Sequence, residues 1–151
     1  MADQSMKLEP IGFVCNEVTE KPERGFDWRQ IVSEIKITPR LAEGLDSLDD
    51  FSHIIVISWM HEATEEDKMA LKVHPRGRKE LAPVGVFASR SPYRPNPLGK
   101  ATVQLLERQG NTLKVQGLDF INGTPVIDIK PYIPGHDSAD GADTPPWVRK
   151  H

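Results

Sequence analysis

Three short stretches of this 151-residue chain carry the side chains best suited to chemistry, and each adjoins an apolar run. In Trp59-Met60-His61-Glu62 the apolar run stops and leaves a histidine at its end, a group able to orient a ligand or move a proton near neutral pH. In Ser89-Arg90-Ser91-Pro92-Tyr93-Arg94-Pro95-Asn96-Pro97 the prolines fix φ, which reduces the entropy lost when arginines are held toward an anion. In Asp119-Phe120-Ile121-Asn122-Gly123-Thr124-Pro125 an Asn-Gly turn exposes backbone N–H and C=O groups suited to the edge of a purine, and Asp128, Lys130 and Tyr132 follow. Each stretch also has a plainer reading: a histidine capping a loop, a stiff connector, an ordinary tight turn.

Other chemistries find less support. His53, His61, His74, His136 and His151 are scattered, with no H-x-x-x-H pair and no second cysteine beside Cys15, so no metal site is expected. Ser89 and Ser91 lie in no G-x-S-x-G elbow, and no G-x-G-x-x-G follows a strand. A lone cysteine, an N-terminus without an apolar signal core and the lack of any run of membrane-spanning length predict a reduced, cytoplasmic, soluble protein.

Charge is unevenly placed. Residues 72 to 100 hold seven Lys and Arg against Glu80, a net of +6, while the remainder holds 12 against 21, a net of −9. A basic island in an acidic chain suits a local polyanion partner, or is simply a solvated loop.

The elements that must carry these groups read as β. IGFVC (11–15), IVSEIKI (31–37), HIIVISWM (53–60), ATVQLLER (101–108), TLKVQGL (112–118) and VIDIK (126–130) have strand character, with Ile31 or Val32 set against Ser33, Glu34 and Lys36. Gln109-Gly110-Asn111 suits a short hairpin connection. Val84, Val86 and Phe87 read as a further buried strand before the prolines. Short helices are expected after Thr38-Pro39 over RLAEGL and from Glu62 to Lys72. Without βαβ alternation, the pattern predicts a mainly β chain: a small β-barrel or strongly bent antiparallel sheet with a few short helices. Residues 1–135 would form the domain and 136–151 a polar tail, with Trp147 as a possible anchor.

GVFASRSPYRPNPLG, followed by LDFINGTPVIDIKPYIP and preceded by FSHIIVISWMH, resembles the TsaA-like (TrmO) family over about residues 10 to 134. The resemblance implies an S-adenosylmethionine-binding β-barrel that acts as a homodimer with cofactor sites near the subunit interface. It also implies methyl transfer to N6-threonylcarbamoyladenosine in tRNA. Carried over by position, it places Met60, His61, Arg90, Leu98, Gly99, Asp119, Asn122, Gly123 and Thr124 around the cofactor.

Within that frame Arg90 suits the methionyl carboxylate, and the Asn122-Gly123 turn with Leu98 suits adenine. Arg76, Arg78, Lys79, Arg94, Lys100 and Lys130 are candidates for tRNA phosphates. Methyl transfer is an in-line displacement, so alignment does much of the work; His61, Asp128 and Tyr132 remain equal candidates for a base. The family's Pro-Arg-Gln stretch corresponds to Pro22-Glu23-Arg24 or to Trp28-Arg29-Gln30 in KPERGFDWRQ, and the additional C-terminal domain of the bacterial enzymes is not matched. An alternative acceptor, a small molecule or a protein, fits the same motifs. So does a non-catalytic module that binds S-adenosylmethionine or RNA.

Overall fold

The computed structural model describes residues 4–148. Six strands close a barrel in the order β1 (Gly12–Cys15), β2 (Val32–Ile37), β7 (Thr112–Gln116), β6 (Leu98–Gln109), β3 (His53–Trp59) and β8 (Pro125–Pro131), which returns to β1. Every pairing is antiparallel. β4 (Lys72–Val73) and β5 (Val84–Gly85) form a separate two-stranded ladder, and α1 (Pro134–Asp137) is a single turn.

Strand alternation sorts the side chains. Val14, Ile35, Ile54, Val56, Val103, Leu113, Val115 and Val126 fill the interior, each at most 2% exposed. Each buried aliphatic side chain of this kind contributes roughly 1.5–3 kcal/mol by leaving water. Leu45, with Leu41 and Leu48, closes one end from two 3-10 turns over Pro39–Leu45 and Leu48–Asp50. The hairpin between β6 and β7 uses Gly110 at φ 60°, where Gln109 pairs with Thr112.

Because successive barrel neighbours run in opposite directions, β1, β3 and β7 all end at one rim and β2, β6 and β8 all begin there. Three connections, residues 16–31, 60–97 and 117–124, therefore leave from the same mouth. The three chemistry-bearing stretches of the sequence lie on two of them and on the strand ends beside them.

The six barrel strands form where the sequence predicts them, with four local corrections. On β2 the inward residues are Ser33, Ile35 and Ile37, so Val32 faces outward and Ser33 inward; the Asn16 amide gives the buried Ser33 hydroxyl its partner. Val84–Phe87 is not a continuous buried strand. The ladder ends after Gly85, the chain turns at Val86–Ala88 with the Ser89 hydroxyl donating to the Val86 carbonyl, and Phe87 is 77% exposed. Glu62 to Lys72 is not a helix: Thr64 and Asp67 cap each other, but only one 3-10 turn follows over Asp67–Met69. Glu62, Glu65, Glu66 and Asp67 crowd like charge into a segment too short to propagate alone. The segment after Thr38 is 3-10 rather than α, with Pro39 at its first position and no side-chain cap from Thr38.

Among the described residues no helix is long and apolar enough to cross a membrane. Residues 135–146 are exposed, while Trp147 is half-buried.

Candidate functional site

The centre of the mouth is built on a glycine. β3 and β6 pair with Ser58 opposite Gly99 and Trp59 opposite Leu98, and the Met60 N–H donates to the Pro97 carbonyl at 2.7 Å. Gly99 is buried, and a Cβ there would collide with the Met60 methyl and stand 2.8 Å from the Phe120 ring. Only a residue without a side chain lets all three meet. Two of the predicted stretches and the first residues of β6 thus converge: Met60 from just past the end of β3, Gly99 from β6 and Phe120 from the 117–124 connection. Leu98, 40% exposed, flanks them.

The 119–124 turn is fastened rather than free. The Asn122 N–H donates to the Val18 carbonyl at 2.7 Å and the Gly123 N–H to the Val14 carbonyl at 2.7 Å. The Thr124 N–H and hydroxyl both donate to the Ile121 carbonyl, and Thr124 is 3% exposed. Gly123, at φ 86°, supplies the left-handed residue that this turn requires. The expectation that these N–H groups read a purine edge is therefore corrected: they are consumed in joining the turn to β1 and the segment after it. Asp119 keeps contact with solvent, yet the protein crowded around its carboxyl strips part of its hydration and raises its pKa above the ordinary carboxylate value.

Asn16, which the sequence did not single out, does the fastening. Its Nδ2 donates to the Ser33 hydroxyl and to the Phe120 carbonyl, each at 2.9 Å, while its Oδ1 accepts from the Val18 N–H at 3.0 Å. The Asn16 N–H in turn donates to Asn122 Oδ1 at 3.1 Å. The signal available in the sequence was an asparagine placed at the end of a strand, a common position for a residue that bonds nearby backbone.

The proline-rich loop braces itself. The Ser91 N–H donates to Ser89 Oγ and the Tyr93 N–H to Ser91 Oγ, while Arg94 Nη1 donates to the carbonyls of Ser89 at 2.8 Å and Ser91 at 3.0 Å. Arg94, a sequence candidate for tRNA phosphate, instead clasps the loop, and Arg90 is left exposed on it.

The 16–31 connection meets the basic excursion. Arg24 Nη2 donates to the Gly77 carbonyl at 3.4 Å, where Arg76 (φ 52°) and Gly77 (φ 66°) make a left-handed corner, and Lys21 Nζ lies 5.8 Å from the centre of the Tyr93 ring. Pro22-Glu23-Arg24 therefore faces the basic run. Trp28-Arg29-Gln30 leads into β2 instead, with Arg29 paired to Asp27 and holding that carboxyl at about 2. Arg78 is paired with Glu80 at 2.6 Å, and Lys79 and Lys100 are exposed.

The other candidates do not join this group within one chain. His61 is exposed at the rim, 4.0 Å from Glu62. Asp128 stands halfway along β8 opposite Ile57, and Lys130 opposite Ile55 pairs with it at 3.0 Å. Tyr132 lies past the far end of β3, its N–H on the His53 carbonyl and its ring 6.4 Å from His53. The length of β3, about 20 Å at the usual rise, separates Tyr132 from the Met60 end.

With this geometry in place, the likenesses to known proteins are specific. The family model for the tRNA-methyltransferase O N-terminal domain matches residues 14–138. A Methanothermobacter thermautotrophicus protein named "Probable S-adenosyl-L-methionine-binding protein" is 41% identical over 141 residues, 91% of this chain and 98% of that one. An Archaeoglobus fulgidus protein named "S-adenosyl-L-methionine-binding protein" is 43% identical over 135 residues, 87% of this chain and 93% of that one. The crystal structure of TrmO from Pseudomonas aeruginosa superposes with a TM-score of 0.73 at 28% identity, covering 93% of this chain. This chain spans 62% of that solved chain. Together these matches say that the chain belongs to the tRNA-methyltransferase O N-terminal domain family.

Proposed function

We propose that this chain is an S-adenosylmethionine-dependent methyltransferase whose reaction takes place at the barrel mouth, with N6 of threonylcarbamoyladenosine in tRNA as the acceptor. The observation that carries the reading is the meeting of Met60, Gly99 and Phe120 at the root of a mouth that also presents Arg90 and the 72–100 basic island. The family and the names of the relatives support the cofactor and the reaction type. The cofactor supplies a methyl group activated on a sulfonium.

The residues of this chain fit such a group. Met60, Leu98 and the Phe120 ring close over Gly99 into an apolar patch, and with Met60 turned aside this patch becomes the niche that suits adenine. Exposed Arg90 suits a carboxylate, and because Arg94 already braces the loop, less backbone remains to be ordered on binding. Asp119 accepts from ribose hydroxyls, while Asn122, Gly123 and Thr124 act by holding Phe120 and Asp119 in place. Arg76, Arg78, Lys79 and Lys100 contact tRNA phosphates, and Lys130 extends that contact along the barrel wall. His61 is the base candidate nearest the niche.

Two further parts belong to this reading. Met69, Leu71 and Phe87, 79%, 75% and 77% exposed, form the face on which a second copy packs to give a homodimer. The working domain runs to residue 135 and a polar tail follows from 136, residues 1–3 and 149–151 of that division lying outside the described residues, in a protein of the reducing cytoplasm with Cys15 free.

One observation favours a rival. Tyr132 sits beside His53 and Asp128 is tied to Lys130, so within one chain neither of the other two base candidates stands next to His61, as a pure binding module would have it. Mass spectrometry of tRNA nucleosides from a strain lacking the gene separates the two. Loss of the methyl group from N6-threonylcarbamoyladenosine supports the enzyme; an unchanged methylation profile contradicts it.

A further inference from the structure

We infer that Ser58 is the polar contact for the edge of the cofactor's adenine ring, reached beneath the Met60 side chain; this rests on the cofactor reading above. Ser58 is fully buried, and its hydroxyl has no hydrogen-bond partner in the protein. Buried polar groups are nearly always paired, so such a hydroxyl calls for a cause.

Its surroundings supply one. Among the described residues three polar side chains are buried: Ser33, Ser58 and Thr124. Ser33 accepts from Asn16 and Thr124 donates to Ile121, which leaves Ser58 uncommitted. Ser58 stands opposite Gly99 on β6 and opposite Val126 on β8, where the ladder shifts register between Ile57 and Ser58. Residues directly opposite share a face, so the hydroxyl lies inside the barrel beside the space that Gly99, having no side chain, yields to its neighbours. That space is roofed by the Met60 methyl and the Phe120 ring.

Met60 is half-buried, unbranched and ends in a flexible thioether, so it is the part of this roof that moves most readily. Phe120, pinned by Asn16, stays as a wall. Moving Met60 aside would open a slot with an aromatic wall, apolar Val126 and a single hydroxyl at its base. A purine fits that description: two apolar faces, and an edge of ring nitrogens and amine to which one hydroxyl can donate or from which it can accept.

Calorimetric titration with S-adenosyl-L-homocysteine, run on the wild-type protein and on Ser58→Ala alongside thermal melts without ligand, tests this. The expected result is affinity weakened by roughly five- to tenfold in Ser58→Ala, the loss of one neutral hydrogen bond, with a melting temperature equal to or above wild type. Wild-type binding with unchanged affinity in Ser58→Ala overturns the adenine contact and leaves the cofactor reading standing. A lower melting temperature with unchanged affinity overturns it too, and assigns the hydroxyl to a buried water. No binding by the wild-type protein overturns both.

Discussion

The Asn16 side-chain amide donates to the Phe120 carbonyl at 2.9 Å, across 104 residues of sequence, and so ties the end of β1 to the turn whose ring roofs Gly99. The same Nδ2 holds the buried Ser33 hydroxyl. A residue with no place in the proposed chemistry thereby sets the position of one wall of the niche.

Removing it is expected to cost both stability and binding. Asn16→Ala leaves the Ser33 hydroxyl and Phe120 carbonyl short of a donor, a loss of about 1–3 kcal/mol in unfolding free energy. Urea denaturation measures this, and a midpoint equal to wild type would contradict the fastening role.

Gly99 offers a test by overpacking. Gly99→Ala puts a methyl group into the Met60 and Phe120 side chains, and inserting a methylene into a filled site typically costs about 1–3 kcal/mol. Truncation at Met60 removes one of the two obstacles, so the cost of Gly99→Ala should shrink in a Met60→Ala background. A double-mutant cycle by chemical denaturation reads the coupling, and strict additivity would argue against contact.

The barrel itself was legible in the sequence, because strands such as Thr112–Gln116, and Leu98–Gln109 as far as Leu105, alternate between interior and solvent. The rim was legible only as fragments. Met60, Gly99 and the 119–124 turn carry recognisable motifs, but the side-chain bonds that fix the turn run through Asn16, whose partners lie up to 106 residues away. Periodicity holds no record of such pairs. Arg90 and Arg94 look alike in a basic loop; that one is spent on the carbonyls of Ser89 and Ser91 emerges only from the fold of the loop. Val84 to Phe87 misled for a related reason: the segment belongs to an excursion outside the barrel, where Val86 is buried in a 3-10 turn and Phe87 is left exposed.

The two arginines should therefore fail differently. Arg90→Ala is expected to weaken cofactor binding by about 1.5–3 kcal/mol, the worth of a charged hydrogen bond, and to leave the melting temperature alone. Arg94→Ala should lower both, since the loop loses its clasp. Paired calorimetry and melting curves distinguish them, and identical behaviour would refute the division.

Asp119 gives a pH dependence with a defined sign. Its carboxyl pKa is raised in the fold by desolvation, so it favours folding only while protonated; that contribution is present below the unfolded pKa and is lost as pH rises through the folded one. Ionised Asp119 opposes folding at neutral pH. Asp119→Asn should thus melt higher than wild type near pH 7, with the difference closing toward about pH 3, while cofactor affinity falls. A difference that widens on acidification would reverse the account.

For the RNA surface, Arg78→Ala should weaken tRNA binding, reduce the slope of log K against log salt by about 1 and leave cofactor affinity unchanged. Filter binding across a salt series checks it, and an unaltered slope would remove Arg78 from the interface.

The central claim, that the mouth around Met60, Gly99 and Phe120 is a cofactor site, is tested most directly by titrating the wild-type protein with S-adenosyl-L-homocysteine in a calorimeter beside Gly99→Ala. Saturable binding by the wild-type protein, weakened by the added methyl group in a variant that still folds, is the predicted result. Equal affinity in the two proteins, or no heat from the wild-type protein, would contradict it.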